Sequence, residues 1–418
     1  MDAFRAVADL AVSTARLWLR CLVPLLVCLL VGHLAFEALF SAANKLGGWE
    51  ERVGLPVLAT AQLCSLAALV AMFLVVGRRL PALRRRTASE GADLAERERR
   101  VLDVIVVTLA PFLAFYALWG LLEPLIEDHV WRAYENSEPG ETFQVGFAQW
   151  ERFIPIAVGA WSVKSVLVRF KRRSVIITVL VTLLEAVWLF LAFFVLTEGA
   201  QASAGWLGDR AVAHWISDAW GSAMSWLGQF GLPFSLTVPE ILTALWDFWR
   251  EVVWPGLKDA VGQPLVWLAI TALIFRRPVE RDTFTGGGME RGVARAVGGL
   301  RWDRRFLVDV LTRDYRDKYL PMVAAIRMVL RLGLPFLAAL CLLYVSVDAL
   351  ADWLFVWAVG VLDDAMAYPS YLSGTLDLGH QVLIEPWQVC LLAVAYDRVV
   401  SARAGERESR ESTVSPAG

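Results

Sequence analysis

Long apolar runs, separated by short polar stretches, follow one another along most of the chain. A helix needs about 20 apolar residues at ~1.5 Å per residue to cross the ~30 Å hydrocarbon layer of a bilayer. We therefore predict an all-α polytopic membrane protein with about eight transmembrane helices. The predicted spans are Leu17–Phe40, Leu55–Gly77, Val101–Glu123, Phe153–Lys171, Ser174–Thr197, Leu257–Phe275, Arg327–Leu350 and Gln381–Arg398.

Composition agrees with this pattern. Of 418 residues, 57% are hydrophobic and 20% are charged, whereas soluble domains have about 45–50% apolar and about 25% charged residues. The net charge of −2 gives no reason to expect a nucleic-acid partner. All five cysteines lie inside apolar runs, so we expect free thiols packed in helices rather than disulfides.

Charge placement predicts the orientation in the membrane. Basic residues collect at alternate helix ends, as in Arg78–Arg79 and Lys171–Arg173, whereas the loop after the third helix is acidic. Cytoplasmic loops are enriched in Lys and Arg. We expect both termini to be cytoplasmic, in the plasma membrane of a bacterium, because Ala, Val, Leu and Arg dominate as in a high-GC organism.

A weak internal repeat relates the first and seventh predicted spans. Arg16–Leu39 aligns without gaps to Arg327–Leu350, matching two arginines, a proline and a later acid. Either four hairpins share one plan, or helices with basic ends resemble one another by composition alone. On the first interpretation the chain divides into an N-terminal interfacial helix with hairpin one (1–85), hairpin two with an acidic outer loop (98–173), hairpin three with a Trp-rich outer insert (174–278), a cytoplasmic amphipathic segment (279–320), hairpin four (321–403) and a disordered tail (404–418).

Three segments resemble amphipathic helices at the membrane surface. Apolar residues recur at helical spacing in Phe4–Leu17, in the Glu198–Gly256 insert and in Arg301–Tyr319. Trp favours the headgroup region because its ring is apolar and its N–H needs a partner. We expect the insert to rest on the outer surface or to cap the bundle.

Ionisable residues inside a bilayer are costly, so each is a candidate functional residue. Glu185 lies about twelve residues beyond Arg173 and so near mid-bilayer. It is either a proton or cation site, or a protonated carboxyl bonded to a neighbouring helix. Lys164 is its candidate partner, although we expect the long lysine side chain to snorkel to the cytoplasm instead.

Two further sets of polar residues are candidates. His33 and Glu37 share a helix face at i, i+4, with Gln62 as a possible polar neighbour on the second helix. These residues could relay protons or bind a cation, or they could be ordinary contacts in the bundle. The cytoplasmic helix ends carry arginines that we expect to contact anionic lipid or another anion: Arg16, Arg20, Arg327 and Arg331.

Recognisable catalytic motifs are missing. The glycines of Thr285–Gly292 lack the Gly-Lys-Ser/Thr of a P-loop, and no Gly-x-Ser-x-Gly or His-Glu-x-x-His occurs. His129, His214 and His380 each have an acid nearby, but their spacing predicts no metal site. We therefore expect no cofactor, no metal and no catalytic residues, and the sequence leans against an enzyme.

Three functions remain open. The first is a channel- or transporter-like bundle for a small solute or ion. The second is a non-transporting scaffold or partner subunit, in contact with another protein or with copies of itself. The third is a lipid-modifying enzyme, which requires that outer carboxylates and histidines cluster. A continuous wet cavity lined by Glu185, His33, Gln62 and Lys164 favours transport, whereas apolar packing around Glu185 favours the scaffold.

Overall fold

A computed structural model describes residues 2–49, 51–87, 94–120, 122–135, 151–168, 175–208, 211–227, 238–275, 333–365 and 371–414. These residues are 97% helical and contain no strand. The predicted all-α class is confirmed for this part of the chain. Arg327, Arg331 and the whole of segment 279–320, which includes Arg301–Tyr319, lie outside the described residues.

The described helices, numbered in chain order, are α1 (Asp2–Trp49), α2 (Glu51–Gly77), α3 (Pro81–Thr87), α4 (Leu94–Leu118), α5 (Leu122–Glu135), α6 (Ile154–Leu167), α7 (Val175–Gly208), α8 (Ala211–Leu227), α9 (Val238–Phe248), α10 (Trp254–Leu257), α11 (Gln263–Ile274), α12 (Leu334–Ala365) and α13 (Tyr371–Val414).

Six described segments are long and apolar enough to cross a bilayer. They are Val7–Leu46, Val53–Gly77, Ile176–Ala200, Pro239–Ile274, Pro335–Val361 and Leu378–Ser401. Six of the eight predicted spans therefore have a counterpart, and the chain is an integral membrane protein by helix length and composition.

The other two predicted spans are shorter than expected. The apolar part of α4 is Val104–Ala117, and α6 has 14 residues, which at ~1.5 Å per residue gives about 21 Å. α4 ends early because Gly120 adopts a φ of 71°, a left-handed conformation that terminates helices. Six crossings are therefore supported within the described residues, and the other two of the predicted eight are not confirmed.

Both ends of the chain are more helical than predicted. The interfacial helix predicted at Phe4–Leu17 continues into the first span within the 48-residue α1. The tail predicted to be disordered from residue 404 is helical as far as Val414. That tail is rich in Ala, Arg and Glu, which are good helix formers, and no proline occurs before Pro416 to stop the helix.

The Val238–Ile274 segment is one helical rod that absorbs two prolines. Two π-helical turns, Trp249–Val253 and Lys258–Gly262, interrupt it. After each turn, the residue just before a proline donates its N–H five residues back, from Trp254 to Trp249 and from Gln263 to Lys258. Since proline has no N–H to continue the ladder, the wider turn keeps the rod unbroken. The last part of the Glu198–Gly256 insert, from Pro239 onwards, thus joins a candidate span instead of lying separately on the membrane surface.

Close packing of small and aromatic residues holds the bundle together. At Gly32 of α1, a Cβ would lie 2.3 Å from the Ala68 Cβ of α2, so only glycine allows this approach. At a second close contact, Gly77 of α2 lies against the Phe275 ring, and that ring also stacks on Tyr396 of α13. These contacts bring the ends of α2, α11 and α13 together.

Helix neighbours only partly follow the predicted hairpins. α1 packs against α2, and α12 against α13, as hairpins one and four require. In contrast, the main partner of α6 is α7, and α4 packs against α7 and α11. Helices of the two middle hairpins therefore contact one another across the predicted boundaries.

Large apolar side chains cover much of the outside. Only 17% of the apolar window of α1 is buried, and Leu19 and Val23 are 67% and 72% exposed. Exposed tryptophans include Trp215, Trp220 and Trp246 on α8 and α9. A surface of this kind fits contact with lipid and not with water.

Candidate functional site

Lys164 and Glu185 form a buried ion pair between α6 and α7. The Lys164 Nζ lies 2.6 Å from the Glu185 Oε2, and the two side chains are 9% and 3% exposed. The Lys164 ammonium also lies 5.6 Å from the centre of the Trp188 ring, within cation–π range. The expectation that Lys164 snorkels to the surface is therefore wrong, because its flexible stem spans the difference in depth that separates the two backbones.

The sequence of α7 explains why this charge lies inside. Thr178, Thr182 and Glu185 recur at helical spacing and are all buried, although the helix is otherwise apolar as far as Leu196. The Thr182 hydroxyl donates a hydrogen bond to the Thr178 carbonyl oxygen within the same helix. Glu185 is left to meet Lys164, which gives the carboxylate a fixed counter-charge instead of an open site.

Glu37 forms an ion pair with a residue of another helix. Its carboxylate lies 3.6 Å from the Arg132 guanidinium of α5, and both side chains are well exposed. Arg132 also donates to Asp128 at 3.1 Å and lies over the Phe40 ring. His33 is half-buried. Glu37 thus helps to dock α5 on α1.

His129 completes the docking of α5. It is buried and meets the Asn44 side chain of α1, with its ring edge-on to Phe40. Burial lowers the pKa of His129 below its usual value, while the nearby Asp128 carboxylate acts in the opposite direction. A neutral imidazole bonded to Asn44 is a structural contact at this position.

The structure also brings together acidic residues that the sequence patterns did not connect. His380 of α13 pairs with Asp352 of α12, with 2.9 Å between Nε2 and Oδ1. Asp348, one turn before Asp352, is half-buried and interacts electrostatically with Asp352, His380 and Asp259. Asp259 in turn accepts a 3.1 Å hydrogen bond from the Trp119 indole. Asp348 and Asp352 come from α12, and Asp259 comes from the Val238–Ile274 rod.

Neutral polar groups lie next to these acids, deeper in the bundle. The Tyr116 hydroxyl of α4 is approached by Gln62 of α2 and by Glu385 of α13. The Tyr344 hydroxyl lies near Glu385, Asp348 and Gln263. It is fully buried, and Gln263 is the neutral polar side chain that lies closest to serving as its partner among these residues.

We refer to these residues together as the polar cluster, with an interior and a rim. Its interior consists of Gln62, Tyr116, Gln263, Tyr344, Asp348 and Glu385, and its rim of Asp259, Asp352 and His380. Of the predicted site residues, only Gln62 belongs to it. Glu385 follows His380 by five residues in the sequence, a spacing that places the two on different faces of a helix. Only the packing shows that α2, α4, α11, α12 and α13 meet here.

The polar cluster lies towards one end of the bundle. Counted from the opposite, arginine-rich end, Asp348 is 13 residues beyond Pro335, and Glu385 is 12 residues before Asp397. At ~1.5 Å per residue the two acids lie about 20 and 18 Å along their helices. They are therefore more than halfway across a ~30 Å hydrocarbon layer.

Arg16 and Arg20 lie at the arginine-rich end, where they line a cavity with Arg79 and Arg398. Near them, the Asp397 carboxylate accepts hydrogen bonds of 3.0 Å from the Ala82 and Leu83 N–H groups. Asp397 thus caps α3 from more than 300 residues away. These hydrogen bonds join α3 to α13 at this end of the bundle.

Neither a metal-ligand cluster among the described residues nor a comparison with known proteins points to a function. Among the described residues, no three His, Cys, Asp or Glu side chains converge as metal ligands would, and His214 is exposed on α8. The five cysteines are free. No protein family, curated protein or solved structure matches this chain.

Proposed function

We propose that this membrane protein binds a cation or a cationic small solute in the polar cluster and passes it through the helix bundle. The observation that supports this proposal most strongly is that Asp348, Glu385 and uncharged polar groups from five helices converge inside an otherwise apolar bundle. Charged groups in a membrane are costly, and they face cavities or partners.

Charge balance supports a cationic occupant. Of the described charged groups that interact with Asp348, His380 is the one that can carry a positive charge, whereas Asp352 and Asp259 add negative charge. Lys258 lies at the rim, over the Trp119 ring. Bringing a cation to this region neutralises carboxylates that otherwise repel one another.

The orientation proposed from the sequence places the cluster near the outer side. The arginine-rich end faces the cytoplasm by the preference of basic residues for that side, in the plasma membrane of a bacterium. Six or eight crossings are both even, so both place the two termini on the same side. The four-hairpin plan remains part of this proposal, with α4 and α6 as its two short crossings.

A non-transporting scaffold is the second candidate, and the Lys164–Glu185 pair favours it. Glu185 is 2% exposed among apolar neighbours such as Leu189 and Phe190, as expected for a residue that fastens α6 to α7. Exposed tryptophans on α8 and α9 offer a surface for a partner protein or a second copy. Transport is preferred because the polar cluster is separate from this pair.

Flux through liposomes tests the proposal. Purified protein is reconstituted, and uptake of K⁺, Na⁺, H⁺ and a small organic ammonium ion is followed by fluorescence. We expect uptake above protein-free liposomes for at least one of these probes. Glu385→Gln and Asp348→Asn should each reduce that uptake at least about tenfold, because each removes a carboxylate from the pathway.

Asp247→Asn provides the matched control. Asp247 is an exposed carboxylate on the same rod as Asp259, twelve residues before it, and its loss should leave uptake unchanged. Folding of each variant is checked by thermal unfolding. Uptake no greater than that of empty liposomes for every probe, or equal uptake by Glu385→Gln and wild type, refutes the transport proposal and favours the scaffold.

A further inference from the structure

A cavity of about 570 Å³ opens at the arginine-rich end of the bundle, between α1, the turn after α2 and α13. Its polar lining consists of Asp9, Ser13, Arg16, Arg20, Arg79 and Arg398. Three parts of the chain that are distant in sequence thus bring four arginines to the lining of one space, where Asp9 is the acidic residue among the described lining.

No ion pair among the described residues neutralises three of these arginines. Within the part of the chain that the structure describes, Arg16, Arg20 and Arg79 form no ion pair, and all three are exposed. Guanidinium groups present planar forks of N–H donors that match phosphate oxygens. The cavity therefore has the charge and the donors of a site for an anionic phosphate group.

Arg398 is held in place at the wall of this cavity. Its Nη2 donates to the Ser13 Oγ at 3.1 Å, and that hydroxyl donates to the Asp9 carbonyl oxygen at 2.7 Å. Because Arg398 is only half-buried, it retains donors for a ligand. This contact links α13 to α1, so the site is assembled by tertiary packing.

Apolar surface next to the arginines points to a lipid. Leu19 and Val23 are 67% and 72% exposed, and they lie on α1 within one turn of Arg20. Acyl chains would cover these side chains while the headgroup reaches the arginines. We propose that this cavity binds an anionic phosphate group, and that this group is carried by a phospholipid.

Native mass spectrometry of the purified full chain tests this site. The protein is titrated with phosphatidylglycerol, with phosphatidylcholine and, separately, with inorganic phosphate. We expect phosphatidylglycerol to bind more tightly than phosphatidylcholine, and Arg16→Gln/Arg79→Gln to weaken it at least about tenfold. The matched control is Arg152→Gln/Arg250→Gln, which removes two exposed arginines elsewhere and should bind as wild type does.

Each outcome decides one point. Equal binding of the two lipids, or equal losses in both double variants, overturns the site. Saturation by inorganic phosphate that is lost only in Arg16→Gln/Arg79→Gln supports the phosphate chemistry but overturns the lipid as its source. Since the site is far from the polar cluster, failure of cation flux leaves this result unaffected.

Discussion

Replacing Glu185 by glutamine removes the partner of a buried lysine while keeping the shape of the side chain. The Lys164 ammonium, 2.6 Å from the carboxylate and 9% exposed, then remains inside the bundle without its counter-charge. Breaking a buried pair on one side costs about 3–5 kcal/mol, because the remaining ion has lost its water as well as its partner.

That free energy converts to a measurable shift. At about 2.1 cal/mol/K of unfolding entropy per residue, a chain of 418 residues has an unfolding entropy of roughly 0.9 kcal/mol/K. We therefore expect Glu185→Gln to lower the Tm by about 3–6 °C. The 19 tryptophans make intrinsic fluorescence in detergent a suitable assay.

A double variant distinguishes lost charge pairing from lost packing. Lys164→Met/Glu185→Leu replaces both ions by apolar groups, and such replacements are neutral or stabilising by about 1–4 kcal/mol. The control is Glu251→Gln, an exposed carboxylate, which should leave the Tm unchanged. A Tm of Glu185→Gln within 1 °C of wild type, or a double variant less stable than either single variant, contradicts the ion-pair argument.

Three further predictions concern stability. Asp397→Ala should cost about 0.5–2 kcal/mol in thermal unfolding because it uncaps α3, and Asp397→Asn should cost less since the amide oxygen still accepts; equal losses would contradict the capping role. The pKa of His129 is lowered in the folded state, so the unfolded chain binds more protons as pH falls through about 6.5, and stability should fall from pH 7 to pH 5 more steeply than in His129→Gln; parallel pH curves would refute this. Gly32→Ala should cost about 1–3 kcal/mol because its Cβ would lie 2.3 Å from that of Ala68, whereas Gly221→Ala, with open space around it, should be neutral or slightly stabilising; similar Tm values for the two variants would disprove the close approach of α1 and α2.

Several features could be predicted because they depend on local properties of the chain. A long apolar run must satisfy its backbone within itself in lipid, so its length alone predicts a helix. Six such runs lie in helices that are long and apolar enough to cross a bilayer. Leu118 ends α4 early because Gly120 takes a positive φ, a backbone choice that hydrophobicity does not report.

Partners across the bundle could not be predicted in the same way. Depth along a helix is readable from residue counts. Glu185 is twelve residues from Arg173 and Lys164 is seven from Lys171, a difference that corresponds to about 8 Å of depth. Whether the Lys164 side chain turns into the bundle or out of it depends on which helix lies beside α6. Because α7 packs against α6, the lysine turns inwards and meets Glu185. The same holds for Glu37, whose partner Arg132 comes from α5 and not from its own helix.

The sequence by itself thus determined that the chain is helical, that it belongs in a membrane and which residues are costly to bury there. These properties follow from the spacing of apolar and charged side chains along the chain. Only the tertiary structure decided that Glu385, Asp348 and Tyr116 meet in one region and that Arg398 reaches Ser13. Such contacts join residues that are hundreds of positions apart, and their formation depends on which helix faces pack together.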